Sequence, residues 1–120
     1  MQYVLLFNET AGDSAREHEP ADEGRYWGAW NAYMGALAQA GVMGGGNGLQ
    51  PPATATTLRL RDGQRLVQDG PFAETKEMLG GYIVLNVPDL DAALDWAAKA
   101  PCAGSGSVEI RPVLDNQPGD

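Results

Sequence analysis

Residues 69–82 read DGPFAETKEMLGGY and connect two strand-like runs. The stretch combines a turn signal, several charged side chains and a glycine pair, and a plain connecting loop does not need this density of charge. Functional loops are commonly short polar segments held by a rigid scaffold. We therefore expect this stretch to lie at a functional site. Asp69, Gly70 and Pro71 also fit an ordinary turn, in which the aspartate accepts a hydrogen bond and the proline fixes the backbone.

Strands are predicted on both sides of this loop. Residues 54–61 alternate between apolar and polar side chains, with Leu58 and Leu60 on one face. Asp62-Gly63 is typical of a tight hairpin turn, after which residues 64–69 return as the partner strand. Residues 81–87 (GYIVLNV) form a nearly continuous apolar run, which predicts a strand that is buried on both faces.

The N-terminal third of the chain predicts a strand, a loop and a long helix. Residues 2–7 are apolar and predict a buried strand, whereas the polar residues 8–19 predict a surface loop. Apolar residues then recur at three- and four-residue steps over residues 20–40, which predicts an amphipathic helix that Gly41 closes in a left-handed cap. The predicted inward stripe is Trp27, Trp30, Met34 and Leu37. The hydroxyls of Tyr26 and Tyr33 are candidates to reach a pocket.

The rest of the chain completes the predicted fold. The glycine-rich residues 44–48 predict a flexible joint, because a phosphate-binding loop would follow a strand and open a helix. Asp89 is a suitable N-cap for a second helix, and Pro101 ends that helix. The residues predicted to face inward on it are Leu90, Ala93, Leu94 and Ala97. Residues 107–113 alternate and predict the last strand, and residues 115–120 predict a loose tail.

These elements predict one domain over residues 1–114. Two helices for about five strands favour an α+β fold in which both helices cover one face of an antiparallel sheet. The strands at residues 2–7 and 81–87 are apolar on both faces, and the chain offers no third helix to cover the other face. We therefore expect a homodimer through the sheet. Polar strand residues would lie at the edge of that contact or in a cleft: Arg59, Arg61, Glu109 and Arg111.

Composition excludes several classes of function. The chain is 43% apolar and 20% charged, as in globular domains, and its formal net charge of −8 argues against nucleic-acid binding. No apolar run approaches the length of a membrane span. Cys102 is the only cysteine, so an internal disulfide is excluded, and with no basic leader at the start we expect a cytoplasmic protein. His18 has no second ligand at metal-binding spacing, so we expect a surface histidine and no metal site.

The motif DGPFAETKE at residues 69–77, with Gly80-Gly81-Tyr82 after it and EIRP at residues 109–112, resembles the DGPF-domain proteins of the YCII-related superfamily. The resemblance implies a ferredoxin-like α+β domain, of the dimeric α/β-barrel type, that dimerises through its sheet. A His-Asp pair is proposed as the acid/base site of the wider superfamily, and lyase chemistry on aromatic ring compounds has been assigned within it. His18 is the only histidine of this chain and lies in the predicted loop.

The candidate catalytic residues are Asp69 and Glu74. On a helical turn Glu74 and Glu77 would share one side, and two close carboxylates suit general acid/base catalysis. The same charges also fit a solvated surface, and Glu109 with Arg111 fits a structural ion pair. Phe72 is expected to fill the core. The predicted substrate-binding residues are Lys76, Glu77, Arg111 and Tyr82, and those that shape the loop are Gly70, Pro71 and Phe72.

The sequence therefore predicts a dimeric protein that binds a small molecule near residues 69–77. Our leading hypothesis is a cofactor-free lyase or isomerase, in which Asp69 or Glu74 moves a proton and Lys76 or Arg111 stabilises developing negative charge. One alternative is a non-catalytic ligand-binding or regulatory module that uses the same cleft. Another alternative is a structural dimer with no ligand.

Overall fold

Four antiparallel strands form the main sheet of the described chain, and helices pack on one of its faces. The structure is a computed structural model that describes residues 1–16, 22–73 and 75–114, with backbone alone for residues 14–16. The elements in chain order are β1 (Gln2–Thr10), α1 (Ala11–Arg16), α2 (Glu23–Ala40), β2 (Met43–Gly48), β3 (Thr56–Arg61), β4 (Gln64–Asp69), β5 (Glu77–Asn86), α3 (Leu90–Ala98) and β6 (Ser107–Pro112), with a short 3₁₀ helix at Pro52–Thr54.

The main sheet joins two strand-helix-strand halves, β1-α2-β2 and β5-α3-β6. Its strand order is β2-β5-β1-β6, and every neighbouring pair is antiparallel. This topology confirms the predicted ferredoxin-like α+β fold, with α2 and α3 on one face. Strands β3 and β4 are inserted between the halves and form a separate two-stranded sheet.

The core lies between this sheet and the two long helices. Leu5, Leu37, Ile83 and Leu85 are all at most 1% exposed, and they come from β1, α2 and β5. Burying a leucine or isoleucine side chain stabilises the fold by about 1.5–3 kcal/mol. Helix α3 contributes small side chains to this core, among them the fully buried Ala93.

The opposite face of the sheet carries no helix in the described ranges and is only half-buried. Val4 pairs with Val84, and Leu6 pairs with Tyr82, so these four side chains share that face. Each is intermediate in exposure, whereas their neighbours along β1 and β5 are buried. The prediction that these strands are buried on both faces is therefore confirmed for one face, whereas the other face is only half-buried within this chain.

The prediction of a surface loop at residues 8–19 is wrong for residues 8–16. Strand β1 continues to Thr10, and α1 begins directly after it. The Thr10 backbone N–H donates to Asp13 Oδ2 at 3.1 Å, and the Asp13 N–H donates to Thr10 Oγ1 at 3.2 Å. This reciprocal pair is a capping box, which stabilises the first turn of a helix. Residues 17–19 and the predicted surface position of His18 lie outside the described residues.

The flexible joint predicted at residues 44–48 is an edge strand instead. Strand β2 pairs with β5, and Asn47 lies opposite Tyr82. Gly46 has φ of +153°, and a Cβ on it would clash with the Tyr82 carbonyl oxygen and lie 2.8 Å from Ile83 Cα. Glycine is required here because the two backbones approach closely. Close packing therefore requires glycine at position 46, whereas a Cβ on Gly45 or Gly48 would meet no atom within 4 Å.

The predicted turn and cap signals are confirmed where they are local. Gly41 adopts φ of +71° at the end of α2, and Asp89 Oδ1 accepts a hydrogen bond from the Ala92 N–H at 2.9 Å at the start of α3. Asp62 and Gly63 have φ of +52° and +75°, as a two-residue hairpin turn requires.

For both α2 and α3, the prediction of which side chains face the core is partly wrong. On α2, Leu37 is buried as predicted, but Trp27 is 43% exposed and Tyr26 and Tyr33 are buried in its place. Both tyrosines are buried with a hydrogen-bond partner for the hydroxyl, and Tyr33 donates to the Trp96 carbonyl oxygen at 2.9 Å. On α3, the alanines of the predicted stripe are buried, whereas Leu90 and Leu94 are each 49% exposed.

Two buried groups in the core resist ionisation. Burial, helped by the negative charge of Glu9, raises the pKa of the Cys102 thiol to about 12. Burial also raises the pKa of Tyr33 above its ordinary value, with a smaller effect from Cys102. Cys102 is thus a neutral thiol at physiological pH, and a buried neutral thiol is unreactive.

We expect the free energy of unfolding to fall as pH rises above about 9. In the unfolded chain the Cys102 thiol ionises near its ordinary pKa of 9.0, whereas the folded protein holds the proton up to about pH 12. The stabilisation from the neutral thiol is therefore complete below pH 9.0 and is lost progressively toward pH 12, by up to about 1.4 kcal/mol per pH unit. Urea titrations between about pH 8 and about pH 11 measure this slope. The Cys102→Ala variant should show a shallower slope, and an unchanged slope would contradict the prediction.

Candidate functional site

A cleft of about 690 Å³ lies between α2 and the edge of the sheet formed by β2 and β5. Its outer rim is residues 49–51, which follow β2. Small-molecule sites commonly have this volume and a largely apolar lining. We call this space the main cleft. Its aromatic lining residues are Phe7, Tyr26, Trp27, Trp30 and Tyr82.

The aromatic rings of the main cleft hold one another in place. The ring centroids of Phe7 and Trp30 are 5.0 Å apart with an edge-to-face angle of 68°, and those of Tyr26 and Trp27 are 5.0 Å apart at 85°. Edge-to-face pairs at this distance are favourable and orient both rings. The cleft therefore offers a rigid aromatic wall that suits a flat ring compound.

A carboxylate and a phenol meet inside this aromatic wall. The Tyr26 hydroxyl donates to Glu9 Oε2 at 2.6 Å, and both residues line the main cleft. Such a short bond is typical of a hydroxyl that donates to an ionised carboxylate. Glu9 comes from the end of β1, and Tyr26 is a buried residue from the first turn of α2. The pair combines a proton acceptor and a proton donor in one apolar site.

A bulge in β5 makes the space for Glu9. Phe7 lies opposite Gly81, but Asn8 lies opposite Leu79, so Gly80 is an extra residue between them. A Cβ on Gly80 would collide with the Glu9 carboxylate. Bulges of this kind often re-aim side chains next to active sites. Gly80, the first residue of the glycine pair, therefore leaves room for the Glu9 carboxylate.

A second cleft of about 420 Å³ adjoins the first. Both clefts share Glu9, Gly80 and residues 49–51 in their linings, so Glu9 lies between them. The second cleft also contains Thr75 and Lys76. Among the described residues that line either cleft, Glu9 and Lys76 are the charged ones. A ligand that spans both clefts would therefore meet a carboxylate and an ammonium group.

Comparisons with known proteins agree with this fold. The model of the YCII-related domain matches residues 1–117. The chain belongs to the YCII-related family. It is 37% identical over 119 residues to an uncharacterised protein of Rhizobium meliloti (strain 1021), and the match covers 98% of this chain and 94% of that protein. The resemblance to the YCII-related family that the DGPF motif indicated is thereby confirmed.

A solved structure also resembles this YCII-related chain. It is 5-chloro-2-hydroxyhydroquinone dehydrochlorinase from Burkholderia phenoliruptrix AC1100 in complex with 2,5-dihydroxybenzoquinone. The TM-score is 0.54 at 14% sequence identity, and the match covers 95% of this chain and 94% of that one. At this identity the likeness supports the fold alone.

The structure brings some of the predicted site residues of this YCII-related chain to the clefts. Tyr82 lines the main cleft, where its hydroxyl accepts a hydrogen bond from Asn47 Nδ2 at 3.1 Å. Lys76 lines the second cleft. Glu77 begins β5 rather than lying on a helical turn, and its carboxylate accepts from Ser107 Oγ at 2.5 Å. Glu74 lies outside the described residues.

Other predicted site residues lie elsewhere. Asp69 is the exposed last residue of β4, opposite Thr56, and lines neither of the clefts described above. Arg111 lies on β6, at the sheet edge opposite to β2. Its Nε is 4.0 Å from Glu109 Oε2, and both side chains are more than half exposed. This is the predicted structural ion pair, and exposed pairs of this kind contribute little stability.

The DGPF loop itself forms the base of the hairpin. Gly70 has φ of +96°, which favours glycine, and its N–H donates to the Ala55 carbonyl oxygen at 2.7 Å. Thr57 Oγ1 donates to the Gly70 carbonyl oxygen at 2.9 Å. The expectation that Phe72 fills the core is wrong, because Phe72 is 75% exposed and packs under the Arg59 guanidinium, 5.0 Å from its ring centroid.

Sequence reasoning missed two carboxylates. Glu9 falls in the loop predicted at residues 8–19, and its position inside an aromatic cleft depends on the β5 bulge at Gly80. Asp13 is the buried charged residue of the described chain at 8% exposure, and Ser105 Oγ lies 2.9 and 2.8 Å from its two carboxylate oxygens. The spacing of Thr10 and Asp13 was the available signal for this second residue. The expectation that the Tyr26 hydroxyl reaches a pocket is confirmed, whereas that of Tyr33 donates within the core.

Proposed function

We propose that this YCII-related protein binds a hydroxylated or quinone-type ring compound in the main cleft and acts on it as a lyase or isomerase through proton transfer. The observation that carries the proposal is the 2.6 Å hydrogen bond between Tyr26 and Glu9 inside an aromatic cleft. A flat ring would stack on the aromatic wall, and its polar groups would meet the carboxylate and the phenol. The ring compound named in the similar dehydrochlorinase structure is of this size and chemistry.

Proton transfer needs one acceptor and one donor, and the cleft supplies both. In a lyase step the Glu9 carboxylate takes one proton from the ring compound, and a leaving group departs with the electron pair of its bond. In an isomerase step the same proton returns to a different ring atom. With the ring compound bound, the single proton of the Tyr26 hydroxyl turns from Glu9 Oε2 to the substrate oxygen on which negative charge develops, and Glu9 Oε2 then accepts the proton taken from the ring compound. Lys76, in the adjoining cleft, adds positive charge on the other side of Glu9.

This proposal differs from the loop-centred hypothesis in its choice of base. Asp69 lines neither described cleft, so we assign the proton acceptor to Glu9, and Asp69 and Glu74 stay predictions to be tested against it. We also propose that a second copy covers the half-buried face of Val4 and Leu6, which forms the expected homodimer. The non-catalytic binding module uses the same cleft and differs only in the absence of turnover.

We expect dihydroxybenzenes, trihydroxybenzenes and benzoquinones to raise the melting temperature of the protein. The matched cyclohexanediols should not raise it, because they have no aromatic ring to stack on the aromatic wall of the cleft. At a ligand concentration of about 100 times Kd the stabilisation is about 2.7 kcal/mol, which a thermal-shift assay detects. The Trp27→Ala variant should lose this shift. Trp96→Ala is the matched control, because Trp96 is a partly buried tryptophan on α3 that does not line the main cleft.

The same compounds can be followed by ultraviolet absorbance, since loss or rearrangement of ring hydroxyls changes the spectrum. Binding with a spectral change that depends on protein concentration supports the lyase or isomerase. Binding without any change supports the non-catalytic module. No thermal shift with any ring compound at about millimolar concentration would reject a ring-binding cleft.

A further inference from the structure

The inserted hairpin exposes an apolar face. Leu58 pairs with Val67, and Leu60 pairs with Arg65, so these four side chains share one face of the hairpin. Leu58, Leu60 and Val67 are 50%, 62% and 64% exposed. We call residues 56–69 the hairpin arm.

The arm has little support from its own chain. Its strands pair only with each other within the described chain, and the hydrogen bonds of Gly70 with Ala55 and Thr57 close its base. An isolated two-stranded hairpin is at best marginally stable in water. An arm that also exposes three aliphatic side chains on one face is expected to pack against another surface.

The mouth of the main cleft is a surface of matching character. Trp27 and Leu49 lie at this mouth and are 43% and 42% exposed, so it presents apolar area to solvent. Below it lies the Glu9 carboxylate, and no described residue that lines the main cleft is a cation. The mouth therefore presents uncovered apolar surface next to a carboxylate.

We propose that the hairpin arm of one protomer docks over the mouth of the main cleft of a second copy of this chain. A six-residue strand spans about 20 Å, so the arm is long enough to reach across an interface. In a two-fold dimer each arm would cover the partner's cleft, which makes the contact reciprocal and closed. The site would then be complete only in the dimer.

Charge favours a second copy as the occupant. The arm carries three of the eight basic residues of the chain, Arg59, Arg61 and Arg65, and two aspartates, so its formal charge is +1. The remainder of the chain carries the balance of the net charge of −8, which is −9. A weakly basic apolar arm is complementary to the acidic body of another copy.

One arginine is available for the cleft. Arg59 donates to Gln68 Oε1 at 3.2 Å and lies over Phe72, and Arg61 donates to the Leu60 carbonyl oxygen at 2.9 Å. Arg65 makes no hydrogen bond or ion pair with the described residues, and it shares the apolar face of the arm. Docking of that face would bring the partner's Arg65 toward Glu9. Its guanidinium would select ring compounds with a carboxylate or an ionised hydroxyl, an assignment that rests on the proposed function.

Disulfide trapping between two differently tagged chains tests the docking without any ligand. One chain carries Asn31→Cys, an exposed lining residue on α2, and the co-expressed chain carries Val67→Cys on the apolar face of the arm. We expect about tenfold more disulfide-linked heterodimer than with the control Leu66→Cys, which lies on the opposite face. The native Cys102 is 2% exposed and does not interfere. Equal yields from the two arm positions, or no linked product, would overturn the docking.

A second measurement isolates the role of Arg65. The Arg65→Ser variant should still give the linked heterodimer, but it should weaken binding of 2,5-dihydroxybenzoate relative to uncharged hydroquinone. Arg59→Ser, on the opposite face of the arm, should leave this ratio unchanged. An unchanged ratio with Arg65→Ser would overturn its assignment to the cleft. If neither compound binds, the proposed function fails, while the trapping result still decides whether the arm docks.

Discussion

Replacing Glu9 with glutamine is expected to lower turnover of a ring substrate by about 10²–10⁴-fold, because the amide keeps the shape of the carboxylate but accepts no proton. The glutamine side-chain oxygen can still accept the Tyr26 hydrogen bond, so the cleft should keep its form. Ligand affinity should therefore change far less than turnover. Steady-state kinetics give kcat, and calorimetry with the same compound gives Kd.

Two further variants make this result specific. Glu23→Gln removes an exposed carboxylate from the first turn of α2 and should leave kcat unchanged, since Glu23 lines neither of the described clefts. Asp69→Asn tests the base that the loop motif suggested. A large loss of kcat with Asp69→Asn and none with Glu9→Gln would show that Asp69 in the DGPF loop is the proton acceptor. That result would contradict our assignment of Glu9.

Features with a local cause could be predicted from the sequence. The hairpin turn at Asp62-Gly63, the cap at Gly41 and the N-cap at Asp89 depend on residues within one turn, and all three are present. The order of the other strands and helices, without α1 and β2, followed from the period of apolar residues. Because these signals agree with one another, the antiparallel α+β fold was within reach of the sequence.

The site depended on contacts between distant segments. Glu9 lies in the main cleft because a bulge at Gly80 makes room for it and α2 places Tyr26 beside it. Neither contact can be predicted from the residues that flank Glu9 in the sequence. Charge density pointed to the DGPF loop instead. In the structure this loop shapes the base of the hairpin arm, and its residues Thr75 and Lys76 line the second cleft.

Apolar residues on the surface were the other source of error. Phe72, Leu90 and Leu94 are apolar but at least 49% exposed. Periodicity identifies a face that avoids water, but it does not say whether the same chain or a second copy covers that face. Such errors are expected where the chain forms an interface, because the covering surface lies outside the sequence that is read.

The Gly46→Ala variant is expected to be the most destabilising single-methyl change in the cleft wall, at about 3 kcal/mol or more. The added Cβ would clash with the Tyr82 carbonyl oxygen and the Ile83 backbone, at a φ of +153° that alanine rarely adopts. Rigid backbone, not a flexible side chain, lies in its way. The edge strand β2 must then separate from β5, which opens the main cleft. The melting temperature should fall by roughly 10 °C.

Gly48→Ala is the matched control on the same strand. A Cβ on Gly48 meets no atom within 4 Å, and its φ lies outside the left-handed region, so the change in stability should stay within about 0.5 kcal/mol. Denaturant unfolding of both variants gives the difference directly. Equal stabilities would mean that β2 does not pack on β5 as closely as the structure shows. The cleft would then lack its rigid outer wall, because β2 holds residues 49–51 in place and thereby encloses the space beside Glu9.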